Sequence, residues 1–300
     1  WNCRFNRSSG LQREFYPWGH VMTHIKHNPL LFHPAIESEL NSRQSPTSTP
    51  SLSHHNYSSP VHAREHFPNA IHFNSSRCRF CTDGHENQLC RVLPMQEPGA
   101  PLVILLQHKA GKVIFHAGDQ PQGLYSVRSG TVKIESCNED GNCHTLGLYG
   151  KNSIFCYQSL FSSAKLTKSA ICLTDVELCF FPKVELLNAL QMHPSATLAL
   201  LRMSSSEMDR NEKKWVSQVS KSAQQRIAEA VIFLNEQFPE VRWTRKEIAQ
   251  WAGTTPETVI RTLALFEKQG YIDQTRGRHI EILQKEVLDE YSQTRVGALI

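Results

Sequence analysis

Residues 244–270, TRKEIAQWAGTTPETVIRTLALFEKQG, carry more local structural instruction than any other run in this chain of 300 residues. Thr244 followed by Glu247 has the S/T-x-x-E form of a capping box, which satisfies two orphan backbone donors at a helix start. The spacing predicts a helix there, with Ile248, Ala249 and Ala252 on its buried side. Ala252-Gly253-Thr254 breaks it. Thr255 is a good N-cap and Pro256 a favoured first helical residue, so a second helix follows at once, with Val259, Leu263 and Phe266 spaced to face a core. The pattern is helix, short turn, helix. On the second helix Glu257, Ile260 and Arg261 fall at i, i+3 and i+4, opposite the apolar stripe, where a recognition helix meets base edges. Arginine can take the O6/N7 edge of guanine and glutamate can accept from the cytosine amino group, each worth about 1–3 kcal/mol of discrimination. Thr255 and the N–H groups beside it suit a phosphate. An ordinary solvated helix face would carry the same charges, so the neighbouring sequence has to decide.

After Gly270 the run YIDQTRGRHIEIL alternates around Arg276-Gly277, a hairpin signal that predicts a two-stranded wing. Arg276, Arg278 and His279 would then lie on phosphates or form a solvated turn. Net charge is only +4, and residues 242–279 hold seven Lys/Arg against four Asp/Glu, so recognition would rest on placement and not on bulk charge. No apolar run reaches the roughly 18 residues of a membrane span, and no charged-then-apolar signal opens the chain. The expectation is a soluble, intracellular, cytoplasmic protein with no membrane partner. Nine cysteines, an odd number, read better as reduced thiols, metal ligands or redox groups than as a disulfide framework.

Residues 1–75 hold nine of the 15 His and seven of the 15 Pro, with Ser/Thr/Asn clusters and no sustained period, and are read as disordered. The chain opens on Trp1, not Met, so an extension foreign to the native protein is one reading of this segment. Residues 76–100 form a cysteine segment, with Cys78-x-x-Cys81 and then Cys90 in CRFCTDGHENQLC. Three readings are open: thiolates for an iron–sulfur cluster whose fourth ligand lies elsewhere, a zinc site that recruits His85, or unligated surface thiols. Residues 102–108 read as a short helix. Over 111–181 the β-rich runs KVIF, LYSVR, TVKIES, HTLGLY, SAICL and VELCFF recur between turn signals such as Ser129-Gly130 and Glu139-Asp140-Gly141. Many short strands at this spacing mean a β-sandwich or a barrel-like roll. Cys137 and Cys143 flank the Asp140-Gly141 turn, where exposed free thiols are expected and a disulfide is conceivable. Cys156 and Cys172 read as core or near-core thiols, and Cys179 as a small hydrophobe in a half-buried strand.

Pro182 ends the roll, and two helical runs follow, VELLNALQM and a long one over about 195–219. On the long one Leu201, Met208 and Trp215 recur every seven residues, with Leu198 and Ser204 or Ser205 near the same seam. That is a short coiled-coil stripe. A parallel dimer on this seam would pair two recognition helices and demand a palindromic site with half-sites about one helical turn apart. The helix SAQQRIAEAVIFLNEQF then opens the DNA-binding domain.

The segments AGD (117–119), LYSVRSGTVKI (124–134), the long helix, SAQQRIAEAVIFL (222–234) and 244–270 occur in this order over about residues 76–285. Together they resemble the superfamily of cyclic-AMP receptor and fumarate-nitrate-reduction (CRP/FNR) regulators. The resemblance implies an α+β protein: an N-terminal β jelly roll sensor domain of the cyclic-nucleotide-binding type over 101–190, a dimerisation helix over 191–219, a C-terminal winged helix-turn-helix over 220–285 and a C-terminal tail over 286–300. It implies a transcription regulator with no enzyme activity. It further implies a homodimer on a palindromic double-stranded DNA operator, with RNA polymerase as a second partner. The dimer seam would use Leu198, Leu201, Met208 and Trp215. DNA contacts would come from Thr244, Thr255, Glu257, Thr258, Ile260 and Arg261, with Arg276 and Arg278 on the wing. Glu257 and Arg261 match the family's base-reading pair, while Ile260 stands where a polar or small residue is commoner.

Within the superfamily the cysteines look like the oxygen-sensing branch, in which three cysteines before the roll and one inside it hold a 4Fe-4S cluster. QLC at 88–90 resembles the third-ligand context, and Cys179 before Phe180-Phe181-Pro182 stands where the internal ligand does. The implied ligands are Cys78, Cys81, Cys90 and Cys179, with zinc as the alternative metal. Eight residues separate Cys81 from Cys90, about three more than is usual in that branch, a lengthening that costs only tenths of a kcal/mol in loop closure. The cyclic-nucleotide branch places a Glu on the ribose and an Arg-Ser pair on the phosphate. The matching region here offers Tyr157 or Gln158 and Lys168-Ser169, so cyclic AMP is not the expected ligand.

Overall fold

A computed structural model describes residues 70–74, 88–93, 101–161, 164–274 and 279–293. All of them belong to one compact unit spanning 56–300. In chain order the roll contains β1 (Ala70–Asn74), α1 (Gln88–Val92), β2 (Val103–His108), β3 (Val113–Phe115), β4 (Gly123–Ser129), β5 (Val132–Cys137), β6 (Cys143–Tyr149), β7 (Ile154–Phe155), β8 (Ser169–Cys172) and β9 (Val176–Pro182). They form two antiparallel sheets with spatial orders β1-β2-β9-β4-β7 and β3-β8-β5-β6. Three helices follow: α2 (Lys183–Met192), the 27-residue α3 (Pro194–Ser220) and α4 (Ala223–Gln237). The last part of the chain is α5 (Arg245–Ala252), α6 (Pro256–Lys268), the ribbon of β10 (Ile272–Asp273) and β11 (Glu281–Ile282), and α7 (Lys285–Gln293).

The centre of the first sheet explains the roll. β9 lies between β2 and β4. Because side chains alternate along a strand, Val176, Leu178 and Phe180 enter the roll interior with Ile104, Leu106, Tyr125 and Val127. Cys179 and Phe181 point the other way, into a second cluster built with Leu89 and Cys90 of α1, Leu186 and Leu190 of α2, and Ala196 and Leu200 of α3. Cys179 is therefore 4% exposed, not half buried as its strand alone suggests. Helices on the outer face turn the strand into one buried on both sides. Inside the roll Tyr125 stacks on Phe155 at 5.2 Å and meets Phe180 at 4.8 Å, contacts that add to simple area burial.

The same covering corrects the helix expected over 102–108. Val103, Ile104, Leu105 and Leu106 are all buried in β2, which is sandwiched by the two clusters and shows no alternation to distinguish strand from helix. Three further expectations change. Residues 70–74, within the segment read as disordered, form the edge strand β1 on β2. Residues 285–293, mostly assigned to a tail, form α7, whose Leu288 is fully buried and whose Tyr291 packs edge-on against Phe266 at 5.2 Å. Cys137 and Cys143 are not free thiols but a disulfide between directly opposed residues of β5 and β6. The Asn138 N–H donates to the Asn142 carbonyl at 3.0 Å, so the cysteines occupy the adjacent position outside that bonded pair, where cross-strand side chains come closest.

Gly130 makes the turn between β4 and β5 possible. Its φ is +80°, and a Cβ there would lie 2.2 Å from the Asp175 carbonyl oxygen. Gly130→Ala is expected to cost about 2–3 kcal/mol through backbone strain and the clash together. The check is a lower denaturant midpoint at unchanged slope; a wild-type midpoint would contradict so tight a turn.

Candidate nucleic-acid interface

The helix-turn-helix is built from local bonds. Thr244 Oγ1 accepts from the Glu247 N–H at 3.2 Å, and the Glu247 carboxylate accepts from the Thr244 N–H at 2.8 Å, so both halves of the capping box are made. Gly253 ends α5 in the left-handed region, φ +64°. Thr255 then caps α6, its hydroxyl accepting from the Thr258 N–H at 3.3 Å, with Pro256 in the first helical turn. Thr244 and Thr258 are partly buried, and their hydroxyls lie within these caps. Val259, Leu263 and Phe266 are fully buried with Ile248 and Ala249 of α5, Ile227, Val231 and Leu234 of α4, and Leu288. Thr262, three residues after Val259 and four before Phe266, joins them at 2% exposure, a position on the stripe that its polar side chain disguises.

Burial of that stripe leaves Thr255, Glu257, Ile260 and Arg261 on the solvent side, Ile260 at 54% exposure. The Glu257 carboxyl is held below its usual range by its own backbone N–H, then by the Thr255 hydroxyl, with Arg261 adding a smaller attraction. It is an ionised acceptor one turn from a guanidinium. The wing pairs Ile272 with Ile282 and Asp273 with Glu281. It is tied to α6, because the Gln274 N–H and side-chain amide donate to the Glu267 carboxylate at 3.0 and 3.1 Å, and to α5 through Arg245, which bonds Gln274. Arg276 and Arg278 lie outside the described residues.

On α3, Leu198, Leu201, Met208 and Trp215 are all exposed, with Val219 continuing their stripe. Ala196 and Leu200 occupy a different side of the helix, buried against the roll. Of the cysteine set, Cys90 and Cys179 are buried in one cluster. Cys78, Cys81 and His85 lie outside the described residues.

Between the roll and the helix-turn-helix lies a group that no sequence motif marks. Lys214 of α3 donates to the Thr145 carbonyl of β6 at 2.7 Å and sits 3.6 Å above the Trp251 ring of α5. Burial pulls its pKa down to about 8. Lys133 of β5 reaches Gln250 at 3.3 Å, Gln218 donates to the Ala252 carbonyl at 3.3 Å, and Thr131 bonds Glu240. A cavity of about 460 Å³ lies among these elements, its lining including Thr145, Tyr149, Glu207, Lys214, Gln250 and Trp251. The Glu207 carboxylate on α3 accepts from the Tyr149 hydroxyl at 2.7 Å, from Tyr157, and from Gln158 at 3.3 Å, while Lys168 donates to Gln158 at 3.3 Å. Of the positions matched to the ligand site of the cyclic-nucleotide branch, Tyr157 and Gln158 are thus bonded to the long helix and Lys168 to Gln158, while the Ser169 hydroxyl accepts from the Ala117 N–H at 2.9 Å.

The chain matches the models of two families, the cyclic nucleotide-binding domain over residues 105–193 and the Crp-like helix-turn-helix domain over 225–291. Curated relatives include the fumarate and nitrate reduction regulatory proteins of Yersinia pestis and Escherichia coli. Each is 25% identical over 222 residues, a span of 69% of this chain and 88% of the relative. A CRP/FNR-family transcriptional regulator from Thermus thermophilus is 26% identical with a TM-score of 0.53, over 64% of this chain and 99% of that one. FixK2 from Bradyrhizobium japonicum shares the fold at 18% identity and a TM-score of 0.56, over 63% and 96%. A nucleotide-binding-type roll, a long helix and a Crp-like helix-turn-helix follow one another here in that order, and the chain belongs to the CRP/FNR family of DNA-binding transcription regulators.

Proposed function

We propose that this regulator is a homodimer that binds a palindromic double-stranded operator under the control of a redox-sensitive 4Fe-4S cluster on Cys78, Cys81, Cys90 and Cys179. Support comes from one observation above all: α1 and β9, far apart in sequence, bring Cys90 and Cys179 into one apolar cluster that also holds Ala196 and Leu200 at the start of the seam helix. Thiolate donors suit iron–sulfur clusters, and a shielded apolar pocket limits solvent access to the irons. A cluster would supply an oxidant-sensitive group whose presence depends on oxygen or nitric oxide. The chain's own part is to hold α1 against the roll and against α3. A ligand that binds one arrangement of these helices better shifts the population toward it, which links the cysteines to the seam and through it to the spacing of the two recognition helices. RNA polymerase is the further partner proposed.

Anaerobic purification tests this reading. The expected protein is brown, absorbs near about 400 nm through sulfur-to-iron charge transfer and bleaches in air. Cys→Ser at 78, 81, 90 or 179 should each remove the colour, whereas Cys172→Ser should keep it. Colour retained in Cys179→Ser would move the fourth ligand, with Cys156 the next candidate. A colourless wild-type protein with one zinc per chain would support zinc in place of the cluster.

A further inference from the structure

We propose that Cys137 and Cys143 form a reversible thiol–disulfide switch, separate from the four cysteines above, that sets how firmly the β5–β6 hairpin holds the DNA-binding domain. The pair closes the end of the hairpin, with Cys137 exposed and Cys143 partly exposed, so small thiols and disulfides can reach it. The next residues on the same face of each strand are Glu135 and Thr145, which are paired with each other. Glu135 is ion-paired to Lys133 at 2.7 Å, both side chains being largely buried, and Lys133 reaches Gln250 of α5. The Thr145 carbonyl receives Lys214, whose ammonium sits over Trp251 of the same helix. Two residues inward from the cross-link, therefore, each strand begins a contact with the helix that precedes the recognition helix. Opening the cross-link leaves a short exposed ladder end to fray, and fraying there loosens both contacts.

The chemistry balances with a low-molecular-weight disulfide as oxidant. The thiolate of one cysteine attacks it, forming a mixed disulfide and releasing one thiol. The second cysteine's thiolate then displaces the other half as a second thiol and closes the ring. Two protein thiols are oxidised, one small disulfide is reduced, and the two protein protons end on the released thiols. Where DNA is handled among reduced thiols, a disulfide of this kind is transient and carries a signal.

The full chain is equilibrated in oxidised and reduced glutathione and read by peptide mass mapping and amide hydrogen exchange. The expected result is a linked 137–143 peptide under oxidising conditions and, on reduction, at least threefold faster exchange across 143–149 and 245–252. The Cys137→Ser/Cys143→Ser variant, whose changes lie on the surface, should show the reduced pattern in both buffers. Failure of the pair to link at any glutathione ratio, or exchange in 245–252 that ignores the redox state, would overturn the switch. So would one zinc per chain retained by the reduced protein and lost from the variant, since the Glu135 carboxylate and both sulfurs lie within 4.8 Å of one another and would then form a metal site.

Discussion

Replacing Arg261 by alanine is expected to abolish sequence-specific DNA binding and leave the fold intact. The side chain is exposed on α6, on the side away from the buried Val259, Leu263 and Phe266, so its loss opens no cavity. A well-placed bidentate contact to guanine contributes about 1–3 kcal/mol. In the proposed dimer the contact is made twice, so operator affinity should fall by on the order of a hundredfold while binding to unrelated duplex, dominated by phosphates, changes little. Fluorescence anisotropy with operator and scrambled duplexes at one salt concentration measures the ratio directly. A ratio that survives the substitution at wild-type level would take base recognition away from this helix. Ile260 refines the expectation, since an exposed branched alkyl side chain there suits a thymine methyl and not a polar base edge. Ile260→Ala should then weaken only operators with thymine at that step.

The helix-turn-helix was legible because its instructions are local. Each cap bond joins residues three apart, Thr244 with Glu247 and Thr255 with Thr258, and the turn between them needs only Gly253 at positive φ. The roll was legible where one face is wet and the strand alternates, and failed at β2, where helices cover the second face and erase the period. β1 and α7 owe their structure to partners distant in the chain, β2 and α4, which no window of a dozen residues contains. The same limit hides the Lys214–Trp251 contact, set by the docking of α5 beside the β5–β6 hairpin. Cys137 and Cys143 are only six residues apart, and there the turn was legible but not the register that sets the two sulfurs opposite each other. Of the candidate site, the exposed face of α6 followed from helical spacing. The meeting of Cys90 and Cys179 was implied only by the family resemblance and not by local pattern, because α1 is only five residues long and carries no period.

Placing a charge in the α3 seam should split the proposed dimer. Leu198, Leu201, Met208 and Trp215 leave large apolar side chains in solvent along one stripe of α3, with the last three exposed by 64%, 64% and 69%. Such a contiguous patch marks an interaction surface. Burying each of these side chains against a partner helix contributes about 1.5–3 kcal/mol. Met208 sits in the middle of the heptad run, so Met208→Asp in two symmetric chains would set two carboxylates facing each other between apolar neighbours. They would be desolvated and mutually repelled, with no cation at the neighbouring seam positions Leu201, Ser205 and Trp215 to offset them. Light scattering after size-exclusion chromatography should report twice the chain mass for the wild type and for Met208→Leu, and a single chain for Met208→Asp. Operator binding should fall with the dimer, by at least a hundredfold, because a monomer engages one half-site and forgoes the second as an effectively intramolecular event. A dimeric Met208→Asp protein would place the interface on another surface. A wild type that is monomeric even on operator DNA would remove the reason for reading α3 as the element that couples the cysteines to the recognition helices.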